Sequence, residues 1–157
     1  GRGGADGVAG FVAASAAAGA SGLILPDLPP DMVREGYREA CDQAGLHPVY
    51  VVSPNTGRDR LEVIAEAGSG LLYATSRTGT TGKEMDLEMR ELTGFLASAR
   101  ETCGMPIAVG FSISTREQVE ALGGHADIAV VGTHFIRVWE EGGTAALEAE
   151  LNKLTGS

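Results

Sequence analysis

An α/β fold built on a parallel sheet is what this 157-residue sequence predicts, and three observations predict it. Five short apolar runs recur along the chain: "GLILPD" (22–27), "HPVYVVS" (47–53), "GLLYATS" (70–76), "PIAVGFS" (106–112) and "IAVVGTH" (128–134). Each is continuous rather than alternating and rich in Val, Ile and Leu, the pattern of a strand buried on both faces of a parallel sheet. Between the runs lie segments with apolar residues at helical spacing, so strands and helices alternate as they do in βα units. Glycine accounts for 23 residues, about twice its usual share, which supplies turns and points where backbone approaches a ligand.

The helices follow in order. The segment "VAGFVAASAAAGA" (8–20) is too short to span a bilayer and has no basic flank beyond Arg2. It predicts a helix packed through Phe11 and Val12. Segment 31–44 places Met32, Tyr37 and Ala40 or Cys41 on one stripe, and segment 58–67 does the same with Leu61, Ile64 and Ala65. Segment 86–100 turns Leu87, Leu92, Phe95 and Leu96 inward. Segment 115–122 opens on a capping box, with Ser114 as N-cap and Glu117 three residues later. A last helix covers 144–155, and Gly132 and Thr133 stand where a short helix can begin after the fifth run. The chain opens on a helix and without Met, which leads to the expectation that something precedes it.

A net charge of −9 argues against a nucleic-acid or anionic-membrane surface. A small anionic ligand stays open, because backbone N–H groups bind phosphate without Lys or Arg. Cys41 and Cys103 form no CxxC pair and no disulfide framework, so they read as reduced, partly buried thiols of a cytoplasmic protein. His47, His125 and His134 are scattered, with no metal-ligand spacing, and surface or packing roles are expected for them.

Two architectures fit the alternation: an open doubly wound sheet, which this length favours, and a (β/α)₈ barrel, which takes about 250 residues. In both, ligands sit beyond the carboxyl ends of the strands. The loop "SRTGTTGKE" (76–84) has the look of a phosphate-binding P-loop. The motif GxxxxGK followed by Ser or Thr needs glycine at Arg77 and a hydroxyl at Glu84, so it fails twice. No GxGxxG follows any strand. The glycines of "VGFSIS" and "VVGTHF" suit a phosphate seat formed by two successive strand–helix loops, and they equally suit tight turns.

The ordered set "GLILPDLPP", "SPNTGRDRL", "YATSRTGTTG", "PIAVGFSIST" and "ADIAVVGTHFIRVWEEGG" resembles the tryptophan synthase alpha subunit family from about Gly7 to the C-terminus. The segments "SRTGTTG" and "PDLPP" are the most specific to it. The resemblance implies a TIM barrel that cleaves indole-3-glycerol phosphate to indole and glyceraldehyde 3-phosphate in tryptophan biosynthesis. It makes the chain a single incomplete (β/α)₈ domain over 1–157, with five parallel strands matching the fourth to eighth of the barrel and the first three absent. Another phosphate-binding barrel enzyme, or a non-catalytic open-sheet binding domain, are the alternatives.

Matched position by position, Tyr73 resembles the tyrosine that lines the substrate pocket. Gly110 and Phe111 match the turn beside the indole. Ser112, Gly132, Thr133 and Gly82 match the phosphate region. Arg77, Gly79 and Thr81 fall in the lid loop, whose threonine reaches a catalytic aspartate in the family. Ser112 stands where the family has glycine ("GFSIS" for "GFGIS"), so its N–H donates only where φ is not positive. Asp6 stands where relatives often carry an aromatic residue. The family's catalytic glutamate and aspartate match nothing here, so no catalytic residue is expected in this chain and it is expected to be inactive alone. Asp27 and Asp59 read as turn and helix-start residues. No metal and no cofactor are implied. The implied partner is the beta subunit, which carries pyridoxal phosphate. Neither nucleic acid nor membrane is expected to bind.

Overall fold

The computed structural model describes residues 5–26, 36–75, 83–110 and 113–156. Helix α1 (Ala5–Ala17) leads into strand β1 (Gly22–Ile24), α2 (Tyr37–Ala44), β2 (His47–Val49), β3 (Val51–Val52) and α3 (Arg58–Ala67). Then come β4 (Leu72–Thr75), α4 (Lys83–Cys103), β5 (Ile107–Gly110), α5 (Arg116–Ala121), β6 (Ile128–Val130) and α6 (Thr133–Thr155). All described strand pairs are parallel: β1 with β2, β3 with β4, β4 with β5 and β5 with β6. The alternating α/β reading of the sequence therefore holds. The run 47–53, expected as one strand, forms two short strands interrupted at Tyr50: β2 pairs with β1 in a two-stranded sheet, and β3 pairs with β4 in a four-stranded one. The Tyr50 carbonyl accepts from the Tyr73 amide at 3.0 Å.

Strand order follows chain order, with no reversal among the described strands. That order decides where the helices go. Among the described residues, right-handed crossovers between successive parallel neighbours place the connecting helices on one face. Val52, Leu72, Ala74, Ile107 and Val109 accordingly point into one core with Leu61 and Ile64 of α3 and Leu92, Leu96 and Ala99 of α4. Alternate residues Val51, Tyr73, Thr75, Gly110 and Val130 face the other way and are only half-buried. The continuous apolar runs led to an expectation of two covered faces. Among the described residues, helices cover one.

Several inward assignments need correction. Leu87 is 59% exposed and Phe11 52% exposed, whereas Leu92, Leu96 and Val12 are fully buried. On α4, Leu87 lies about 140° around the helix from Leu92, so one stripe cannot hold both. The same geometry puts Phe11 about 100° from Val12. The capping box of α5 is also shifted by one residue. Thr115 is the N-cap, its Oγ1 accepting from the Gln118 amide, while Gln118 Oε1 accepts from the amides of Thr115 (3.1 Å) and Ser114 (2.9 Å). Glu117 instead occupies the first turn, where backbone N–H donation and Thr115 hold its carboxyl below the ordinary range. Met32 lies outside the described residues.

Asp127 ties the starts of the last two strands together. Its Oδ2 accepts from the Ile107 amide and from Arg100 Nη2, each at 2.8 Å, while its own amide donates to the Ile107 carbonyl at 2.9 Å. The amide first, and Arg100 second, hold its carboxyl below the usual range. On the helix side, Tyr37 Oη donates to the Leu23 carbonyl at 2.8 Å, locking α2 onto β1. Tyr37 also meets Tyr50 edge-on, with ring centroids 5.9 Å apart. Cys41 and Cys103 are free thiols, the first buried, the second half-buried. Burial raises the pKa of both. No helix among the described residues is long and apolar enough to cross a membrane.

Candidate functional site

The carboxyl ends of the three central and final strands lie in one row. Thr75, the last residue of β4, pairs with Gly110, the last of β5, which pairs with Val130, the last of β6. Residues 76 and 111 follow directly from that row, and Gly132 follows two residues after Val130. The pairing thus aligns the points from which three of the sequence-predicted loops depart.

Tyr73 and Gly110 meet on the half-buried face. Tyr73 pairs with Ala108, one step back from the Thr75–Gly110 pair, and its ring reaches forward over the bare α-carbon of Gly110. A Cβ at residue 110 would collide with the phenol oxygen and stand 2.7 Å from Cζ. Carbon atoms in good contact sit about 3.5–4.0 Å apart, so only glycine leaves room for this ring. Gly110 was expected as a substrate contact. The geometry gives it a further role as the seat of Tyr73, one that no sequence spacing reveals. Thr75, on the same face, donates its hydroxyl to the Val52 carbonyl at 3.3 Å.

Gly132 is the N-cap of α6, and Thr133 is the first residue of that helix. A glycine cap offers no side-chain oxygen, and no side-chain cap hydrogen bond is formed there. The first-turn N–H groups of a helix have no intrahelical partner, and the helix dipole makes that end attractive to an anion. The short helix expected after the fifth run begins here. It continues to a break at Gly143, where φ 66° and ψ −159° interrupt α6. That combination is open essentially to glycine alone. Beyond it the chain resumes as the helix expected over 144–155.

The break has a consequence in the first turn. His134 Nε2 contacts Glu150 Oε1 at 2.9 Å, and Lys153 Nζ reaches the same carboxylate at 3.2 Å. These two partners, His134 foremost, hold the Glu150 carboxyl below its ordinary range. Sequence reasoning gave His134 a surface or packing role and overlooked Glu150. The available signal was the Gly142–Gly143 pair, a helix breaker placed between them.

Phe111, Ser112, Arg77, Gly79, Thr81 and Gly82 lie outside the described residues, as does Asp27. Asp59 stands in the first turn of α3, as expected of a helix-start carboxylate. His47 contacts Ser69 Oγ through Nδ1 at 2.9 Å. Among the described residues, no cluster of three His, Cys, Asp or Glu side chains could hold a metal ion.

The family model described as "Tryptophan synthase alpha chain" matches residues 5–155. The tryptophan synthase alpha chain of Syntrophotalea carbinolica is 40% identical over 148 residues, covering 94% of this chain and 58% of the relative. That of Methanosarcina barkeri is 42% identical over 137 residues, covering 87% and 51%. Among solved structures, a mutant tryptophan synthase alpha-subunit from the hyperthermophile Pyrococcus furiosus superimposes with a TM-score of 0.82 at 30% identity, covering 97% of this chain and 62% of that one. The chain therefore spans less than two thirds of the length of these relatives. Sequence matches that run through nearly all its residues, and a backbone likeness over 97% of the chain, agree on one assignment. This chain belongs to the tryptophan synthase alpha chain family.

Proposed function

We propose that this chain contributes to the cleavage of indole-3-glycerol phosphate into indole and glyceraldehyde 3-phosphate, a lyase reaction of tryptophan biosynthesis. Its five strand runs correspond to the fourth to eighth strands of a (β/α)₈ barrel, within one incomplete domain over residues 1–157. The unreversed strand order and the single helix-covered face support that reading, since a closed barrel carries all its helices outside. The half-buried face is then the barrel interior. The row Thr75–Gly110–Val130 marks the end at which barrel enzymes bind substrate.

That row is the observation that carries the proposal. It brings Tyr73 and Gly110 beside the start of α6. The indole of the substrate lies against Tyr73, Gly110 and Phe111. Its phosphate is held by the amides of Gly132 and Thr133, with Ser112 and Gly82 nearby, and Arg77, Gly79 and Thr81 belong to a covering loop. The Gly132 cap supports the phosphate assignment because the cap residue has no side chain to compete for the first-turn N–H groups. Proton transfers at the indole ring and the glycerol hydroxyl call for general acid and base groups. None of these site residues is a carboxylate, and Asp59 stands in the first turn of a helix, where its charge suits the dipole. The chain alone is accordingly inactive in this proposal, the reaction needs no metal or cofactor, and the physiological partner is a pyridoxal-phosphate-dependent beta subunit in the cytoplasm.

Binding of indole-3-propanol phosphate, a non-cleavable analogue, tests the site directly. Saturable binding that is lost in a Gly132→Asp variant, together with no indole release from indole-3-glycerol phosphate, is the expected pair of results. Indole release well above background by the purified chain would overturn the inactivity, and failure to bind the analogue would overturn the site.

A further inference from the structure

We infer that Glu150, through His134, is a positioning residue for the phosphate seat. It ties down the first turn of α6 and so keeps the Gly132 and Thr133 amides aimed at the anion. This rests on the phosphate reading proposed above and adds a residue from the far end of the helix to that site.

The contact exists only because of the backbone break. In an unbroken helix, residues 134 and 150 would be separated by about 24 Å along the axis. The break at Gly143 brings Glu150 Oε1 to 2.9 Å from His134 Nε2. An ionised carboxylate only accepts, so the imidazole Nε2–H donates and its tautomer is set. Both side chains are sheltered, at 26% and 15% exposure, which spares the pair much of the solvent screening that weakens surface contacts.

The other loop helix shows what α6 lacks. The first turn of α5 is held locally by the Thr115–Gln118 capping box. The first turn of α6 has a glycine cap and no side-chain cap hydrogen bond. That bareness frees its amides for a ligand and also leaves the turn without a side-chain cap to hold it. A seat of backbone amides binds well when its donors are fixed before the ligand arrives. His134 is the second residue of the helix, so anchoring its ring to Glu150 restrains the turn without occupying an amide. Lys153 also bonds Glu150 but is itself 64% exposed, so it adds little to this restraint.

The test is a titration of the 157-residue chain with inorganic phosphate, followed by NMR at the Gly132 and Thr133 amides, with thermal stability recorded for every variant. Wild-type amides are expected to shift saturably. Glu150→Ala and His134→Ala are each expected to weaken phosphate about three- to tenfold, the size of one lost hydrogen bond. The double variant is expected to be no weaker than either single one. Glu150→Gln, which keeps an acceptor oxygen, is expected to restore affinity to within about twofold of wild type, and Lys153→Ala to leave it unchanged. A purely structural role would lower stability without changing phosphate affinity in the folded fraction. Wild-type binding with undiminished affinity in Glu150→Ala would overturn the positioning role alone, as would a Glu150→Gln variant as weak as the alanine one. Wild-type amides that do not respond to phosphate would overturn the phosphate reading and this inference with it.

Discussion

Replacing Gly110 with alanine is a clean steric perturbation, because Gly110 does not use a left-handed backbone conformation. The new methyl carbon would stand 2.7 Å from Cζ of Tyr73 and overlap its phenol oxygen. Restoring ordinary contact requires the ring to retreat by about 1 Å or more. The backbone cannot provide that movement cheaply, since Gly110 is paired on both sides, with Thr75 and with Val130. The tyrosine must swing instead. Overpacking of this kind costs about 1–3 kcal/mol, and a half-buried ring that can move outward puts the cost near 1 kcal/mol. For a chain of this length, that lowers Tm by about 2–4 °C. Circular dichroism melts of wild type, Gly110→Ala, Tyr73→Ala and the double variant form a complete cycle. In the Tyr73→Ala background, adding Gly110→Ala should cost almost nothing, so the coupling between the two sites should account for nearly the whole effect. Equal costs in both backgrounds would refute the reasoning, because the collision would then lie elsewhere than with the ring.

Three further outcomes follow from the same geometry. Gly143→Ala forces a side chain into a backbone conformation that costs about 1–3 kcal/mol, so Tm should fall by roughly 2–4 °C for each of them. The His134–Glu150 contact should weaken in the same variant, as read from the imidazole NMR signals. Asp127, Glu117 and Glu150 all have folded-state pKa values below their unfolded ones, so their stabilisation is complete above the unfolded carboxylate pKa of about 4 and is lost as pH falls through the lower folded values. Melts between pH 7 and pH 2 should show Tm dropping across that window, and Asp127→Asn should flatten part of the drop; a variant with an unaltered pH profile would contradict the role given to Asp127. Finally, Tyr50 is buried with a hydroxyl that finds no hydrogen-bond partner among the described residues. Tyr50→Phe should match or exceed wild-type stability, by up to about 1 kcal/mol, and a marked fall in Tm would show that the hydroxyl is engaged.

The strands were legible because continuous Val, Ile and Leu runs carry their own burial signal, and their order along the chain became their order in the sheet. The failures have specific causes. Ser114 with Glu117 and Thr115 with Gln118 satisfy the same four-residue capping pattern, so only backbone geometry at the cap separates them. Leu87 and Phe11 are apolar but fall off the angular stripe that their helices bury. Within the candidate site, Tyr73 and Gly110 were singled out by resemblance, yet their contact depends on the offset between two strands, which no linear pattern encodes. The pairing of His134 with Glu150 depends on a single torsion at Gly143, and periodicity alone would have kept those residues far apart. Local chemistry was thus visible in the sequence, whereas contacts created by register or by a break in a helix were not.

Strand order also bears on how this chain reaches its folded state. Every described strand pair joins partners about 20 to 35 residues apart, with one described helix between them. Among the described strands no pairing waits for the two ends of the chain to meet, so each loop closure is short and the entropy lost at each step is modest. Sheet growth can proceed one unit at a time, each new strand docking on an edge already formed. Refolding should therefore be fast for a parallel sheet, with the β4–β5 pair, the longest ladder among the described residues, as the natural place for growth to begin.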